Sequence, residues 1–197
     1  MVSYLPVLLK LRDRSCLVVG GSAMAAQTVE ALIKAGARVT VISPQVTEPI
    51  ERLVTACQVQ LVRRPYSKGD LRGFYLAYAV TGTAAVDEQI AQDAESEDVL
   101  LNVADRAALG DFLNPPTVRR GDLTITVSTN GRSRGFARLM QRKLERLIGP
   151  EYGDLLDVVE AERLVSHGAR TESYSDKGSL PSDDVIDNRL PKLSDGL

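Results

Sequence analysis

The apolar positions of this chain fall into short continuous runs separated by stretches of helical period, an alternation that marks strands covered on both faces by helices. Ser15-Cys16-Leu17-Val18-Val19 is the first run, and it breaks at Gly20-Gly21-Ser22. From Ala23 to Lys34 the apolar Met24, Val29, Leu32 and Ile33 return at helical spacing, and Gly36 reads as the stop. Arg38-Val39-Thr40-Val41-Ile42-Ser43-Pro44 is a second strand. The short connections of this βαβ unit imply a right-handed crossover and a parallel sheet. The alternation continues as a helix over 47–56, a strand over 59–63, a loop over 64–71 and a strand over 75–80. A helix over 85–95, a charged turn at Glu95-Ser96-Glu97-Asp98 and a strand over 99–103 complete it. The opening Tyr4–Leu11 is apolar but contains Pro6, which suits an edge strand or a covering segment, and Arg12-Asp13-Arg14 is a polar turn.

Beyond residue 111 the pattern changes. Residues 112–118 and 123–128 read as strands joined by the turn Arg119-Arg120-Gly121-Asp122. A loop over 129–134 leads into a helix from Gly135 or Phe136 to about Ile148. Phe136, Met140, Leu144 and Ile148 form its apolar stripe, and Arg134, Arg138, Arg142 and Arg146 repeat on another face. Residues 151–166 are amphipathic, and beyond Gly168 the abundance of Ser, Asp, Gly and Pro suits a disordered tail. The expected organisation is α/β: a Rossmann-type parallel sheet over 1–111, a small α+β region over 112–148, a helical segment over 149–168 and a tail over 169–197. A hairpin and an apolar helix stripe added to such a sheet point to a homodimer.

Composition narrows the chemistry. The 197 residues are 44% apolar and 25% charged, the balance of an ordinary soluble protein with one good core and a smaller second unit. A net charge of -2 points away from nucleic acid, so any basic patch is local. No run approaches the ~20 apolar residues that cross a bilayer. Cys16 and Cys57 show no paired spacing and no signal peptide is evident, which together suggest a reducing cytoplasm. The only histidine, His167, lies in a polar stretch, so zinc sites and Ser-His-Asp catalysis are poorly supported and no metal site is expected.

The chemistry then gathers at strand ends. Gly20, Gly21, Ser22, Ala23, Met24 and Ala25 follow the first strand and open a helix, the arrangement that presents backbone N–H groups to a diphosphate. The template G-x-G-x-x-G/A is met at its first and last positions, with Ser22 in place of the middle glycine. The plain alternative is a tight strand-to-helix turn with no nucleotide. The second strand ends at Ser43-Pro44-Gln45, without the Asp or Glu that usually takes the ribose of NAD, so charge alone leaves NAD and NADP both open. Thr81-Gly82-Thr83 and Ala104-Asp105-Arg106 end two further strands at the same expected edge.

Tyr4-Leu5-Pro6, Val18-Val19-Gly20-Gly21, Ala35-Gly36-Ala37-Arg38-Val39-Thr40-Val41, Asn102-Val103-Ala104-Asp105, Arg119-Arg120-Gly121-Asp122-Leu123-Thr124-Ile125 and Ser128-Thr129-Asn130-Gly131-Arg132-Ser133 occur in order over residues 1–148. As a set they resemble the N-terminal module of sirohaem (siroheme) synthase. The resemblance implies a Rossmann domain followed by a dimerisation region, NAD-dependent oxidation of precorrin-2 to sirohydrochlorin and, in some members, insertion of Fe2+ as a second substrate. It carries the family's acidic residue onto Asp105, its cofactor contacts onto the turn from Gly20 and onto Ser43 and Pro44, and its serine-containing loop onto Ser128, Thr129 and Asn130. The chain departs from the family pattern at Ser22, at Gln27-Thr28 where Arg-Lys is usual, at Gly82-Thr83 where Asp-Asp is frequent, and at Arg134 where proline stands.

A polycarboxylate substrate requires a locally basic site, and Arg132, Arg134 and Arg138 follow the serine loop where bidentate carboxylate contacts are needed. Arg142 and Arg146 read equally well as a solvated helix face. Dehydrogenation needs a hydride acceptor and a base. From pattern alone Asp105 reads as capping a turn, whereas the resemblance makes it the base. Ser128 and Thr129 either bind substrate or shape their loop, and Thr81 joins the cofactor side. The competing class is a non-catalytic relative that holds a tetrapyrrole or dinucleotide on a worn cofactor turn.

Overall fold

The computed structural model describes residues 4–167. It divides into two compact units between Asn114 and Pro115. The expected tail over 169–197 lies outside the described residues.

The first unit is a parallel sheet of β1 (Ser15–Val19), β2 (Arg38–Ile42), β3 (Val59–Val62), β4 (Leu76–Ala79) and β5 (Leu100–Val103), in the order β3-β2-β1-β4-β5. Its helices are α1 (Ala23–Lys34), α2 (Glu48–Thr55) and α3 (Ala84–Glu97). Strand side chains alternate between two cores. Cys16, Val18, Val39, Val41, Leu76 and Tyr78 pack with Ala25, Val29 and Leu32 of α1 and Ile50 of α2. Leu17, Val19, Ile42, Ala77, Ala79 and Leu101 pack with Ile90 and Ala94 of α3. Both faces are thus covered, as the unbroken apolar runs require.

The order reverses between β1 and β4, which places the crevice outside their carboxyl ends at a topological switch point. Registers align those ends: Val19 pairs with Ile42 and Ala79, and Ala79 with Val103. The loops beginning at Gly20, Ser43, Val80 and Ala104 therefore emerge at one edge.

The second unit begins with β6 (Thr117–Arg120) and β7 (Leu123–Thr126), an antiparallel hairpin in which Val118 pairs with Ile125. α4 (Arg134–Leu147) and α5 (Glu151–His167) follow. The Arg120 guanidinium donates to the carbonyls of Ile148 at 2.8 Å and Glu145 at 3.0 Å, satisfying acceptors that the end of α4 leaves open. A Cβ on Gly153 would lie 2.9 Å from the Arg120 carbonyl carbon, so α5 meets the hairpin where only glycine fits.

Four expectations need correction. The opening segment joins no strand: residues 4–10 are irregular, and Leu5, Val7 and Leu8 are exposed. Pro6 has no N–H to give a ladder. The β5 edge is also occupied, because the Leu101 N–H donates to the Asp111 carboxylate and the Asp111 N–H to the Leu101 carbonyl. The charged turn at 95–98 is the last turn of α3, which ends on Asp98 in the left-handed region at φ 54°. The strand expected over 112–118 starts only at Thr117, after Pro115 and Pro116, and the hairpin turn shrinks to Gly121-Asp122. On α4 the inward position is Ala137, which is buried, whereas Phe136 is 54% exposed.

Candidate functional site

β1 ends where its neighbours crowd it. Gly20 lies at φ +128°, and a Cβ there would collide with the Val80 carbonyl; a Cβ on Gly21 would collide with the Gln45 carbonyl. Both glycines are therefore required by strands packed side by side. Ser22 has an ordinary extended backbone, φ -71° and ψ 173°, and caps α1 by accepting the Ala25 N–H on Oγ at 3.3 Å. That bond leaves the hydroxyl proton available to donate. Ala23 and Met24 supply the first N–H groups of the helix, which have no intrahelical acceptor, and no acidic side chain occupies the first turn. Ser22, Ala23 and Met24 are all exposed. The edge of this turn thus suits an anionic diphosphate, as a nicotinamide dinucleotide requires.

The β2 loop closes beside it, with the Thr47 N–H donating to the Gly21 carbonyl at 2.9 Å. Ser43 is buried and its hydroxyl donates to the Gln45 carbonyl at 2.6 Å, so it shapes the loop while Pro44 and Gln45 face solvent. Thr47 Oγ1 is buried without a hydrogen-bond partner.

Beyond β4, Thr81 Oγ1 donates to Asp87 Oδ1 at 2.6 Å and accepts the Thr83 N–H at 3.0 Å. Asp87 is buried on the first turns of α3. This pair fixes the loop at the crevice. Sequence reasoning missed Asp87, because an acidic residue near a helix start is too common to signal anything.

Past β5, Asp105 is exposed and lies at φ +62°, in the left-handed region that Asp tolerates better than most residues. The residue that caps the following 3-10 turn over Ala107–Leu109 is Arg106. Its guanidinium reaches the Ala84 carbonyl at 3.1 Å and Glu88 at 2.8 Å, tying the Asp105 loop to α3. Asp105 thus stands at the same edge as the glycine turn. Two titratable groups lie in the core of this unit: burial lifts the Cys16 thiol to about 11 and the Tyr78 hydroxyl to about 12. A groove of about 530 Å3 lies elsewhere, on the flank formed by α3, the start of β5 and Ala108–Asp111.

The remaining predicted residues sit in the second unit. In the loop after β7, Ser128 Oγ accepts the Asn130 N–H at 3.2 Å, and Thr129 Oγ1 accepts the Ser133 N–H at 3.0 Å. Asn130 and Gly131 both have positive φ, and Ser133 caps α4 through the Phe136 N–H. Thr129 is thereby spent on the loop, while Ser128 keeps its proton to donate. Arg132, Arg134 and Arg138 are exposed along this loop and the first turns of α4.

A family model described as "Putative NAD(P)-binding" matches residues 7–116. Curated relatives are siroheme synthases. That of Nitrosococcus oceani is 36% identical over 78% of this chain and 33% of its own length, and that of Thiobacillus denitrificans is 38% identical over 78% and 32%. That of Photobacterium profundum is 34% identical over 98% of this chain and 40% of its own length. The chain thus spans a third to two fifths of these relatives. A solved structure titled SirC, precorrin-2 dehydrogenase shares the fold with a TM-score of 0.75 at 24% identity, over 86% of this chain and 84% of that one.

Proposed function

The chain belongs to the NAD(P)-binding family whose model matches residues 7–116, and from that premise we propose that it oxidises precorrin-2 to sirohydrochlorin with NAD as hydride acceptor, a step of siroheme biosynthesis. The observation that carries this reading is the shared edge: an anion-ready turn at Gly20–Met24, a fixed loop at Thr81 and the carboxylate of Asp105 all leave the sheet at its switch point. The siroheme synthase relatives and the precorrin-2 dehydrogenase of like fold supply the substrate.

Ser22, Ala23 and Met24 would hold the diphosphate through backbone N–H groups and a hydroxyl, and the Ser43-Pro44 loop would receive the adenosine end. A nicotinamide dinucleotide held there would supply the acceptor for the hydride. Asp105 takes the proton that leaves with it, so the substrate loses one hydride and one proton. Taken by itself, the second unit offers Ser128, Asn130, Arg132, Arg134 and Arg138, whose chemistry suits the carboxylates of a tetrapyrrole. Where the chain also acts as a chelatase, Fe2+ enters as substrate and Asp105 takes the two displaced pyrrole protons one at a time, passing each to water. Among the described residues, no group of three or more His, Cys, Asp or Glu is placed to hold a metal ion.

A homodimer fits α4. Its inner face is Ala137, Met140, Gln141 and Leu144, while Phe136, Leu139 and Leu147, on the flank beside that face, are 54%, 45% and 46% exposed. A second copy covering this stripe would remove it from water. Among the described residues, no helix is long and apolar enough to cross a membrane; a cytoplasmic location accords with that and with two free thiols.

The test is Asp105→Asn. The variant is expected to retain NAD affinity and lose turnover by a factor of about 10² or more. Loss of both together would make Asp105 a structural residue and overturn its role as base.

A further inference from the structure

β2 leaves the sheet where a dinucleotide fold receives the adenosine ribose, and a carboxylate there both binds the ribose hydroxyls and repels a 2′-phosphate. This tip has none. Ser43 has turned its hydroxyl onto the Gln45 carbonyl, Pro44 has no N–H, and Gln45 is neutral. β3 runs beside β2 on its outer side, with Val62 opposite Ile42 and the Ser43 N–H donating to the Val62 carbonyl at 3.2 Å. Arg63 and Arg64 therefore leave the sheet next to the ribose loop.

The two arginines are not equivalent. Arg64 is committed, its two terminal nitrogens donating to the two oxygens of Asp70 at 2.6 and 2.7 Å. Arg63 gives a single nitrogen, Nη2, to both oxygens of Glu51 on α2 at 2.6 Å, and its side chain is 53% exposed. The other charges of α2, Glu48 in its first turn and Arg52 in its last, pair with each other at 2.7 Å. We infer that the site accepts the 2′-phosphorylated nicotinamide dinucleotide as well as the unphosphorylated one, with Arg63 as the 2′-phosphate partner and Glu51 as the carboxylate that competes for it. The inference rests on the dinucleotide reading above and adds the residue that sets cofactor choice.

Calorimetric titration of the full chain with NAD+ and with NADP+ tests it directly. The wild type is expected to bind both with affinities within about tenfold of each other. Glu51→Gln, which releases Arg63, should tighten NADP+ by up to about tenfold and leave NAD+ unchanged. Arg63→Met should weaken NADP+ by about tenfold and again spare NAD+, since a charged hydrogen bond is lost from one ligand only. Wild-type binding of NAD+ without NADP+, or an Arg63→Met effect equal for both ligands, would overturn the inference. Failure to bind either would instead sink the dinucleotide reading on which it rests.

Discussion

At Gly20 the backbone turns through φ +128° against the Val80 carbonyl, and at Gly21 it passes the Gln45 carbonyl, so both residues answer to neighbouring chain before any ligand arrives. Gly20→Ala is expected to cost about 3 kcal/mol, read as a lower melting temperature. Ser22 is different. Judged against a glycine template it looks like a defect, yet its backbone is ordinary and its hydroxyl caps α1. Ser22→Gly should thus change NAD affinity by less than tenfold from a wild-type value in the micromolar range, roughly -8 kcal/mol. A rescue of binding only in the glycine variant would mark the turn as worn. Thr81 and Asp87 form a pair that sequence reading split, finding the first and missing the second. Thr81→Val leaves the buried carboxylate without that donor and should cost about 1–3 kcal/mol in thermal unfolding.

Among the elements, the strands were the most legible, because their runs are covered on both faces and nothing but a central strand buries Leu76 to Ala79 completely. What periodicity misread were the margins. On α4 a spacing of four from Phe136 and one from Ala137 both reach Met140 or Gln141, so the sequence alone does not say which face turns inward. For the homodimer proposed on the exposed flank of α4, Leu139→Glu is expected to leave a folded chain that sediments as a monomer while the wild type sediments as a dimer. The loop between β3 and β4 is set by Asp70, which accepts from Arg64 and from the Ser67 N–H at 2.8 Å. The Arg64 guanidinium holds the Asp70 carboxyl below its ordinary value of 3.8. A carboxyl whose pKa is depressed by folding contributes stability above its unfolded value and loses it as pH falls through the folded one. Asp70→Asn should therefore flatten the loss of stability on acidification below about pH 4.

For the molecule as a whole, the strand order β3-β2-β1-β4-β5 turns scattered strand ends into one edge. Each motif is weak in the sequence, and what made this edge legible was the order of the first unit's strand ends along the chain, which the parallel register converts into proximity. The residues that hold the edge together, Asp87 and Arg106, act through side-chain bonds to a loop 6 residues away and to the start of α3 22 residues away, a relation that periodicity does not encode. The central claim is tested most directly by incubating the full chain anaerobically with NAD+ and precorrin-2 while following NADH and sirohydrochlorin by absorbance. The two products are expected to rise together in equal amounts. Binding of both ligands with neither product formed would contradict it and leave a protein that holds a tetrapyrrole without oxidising it.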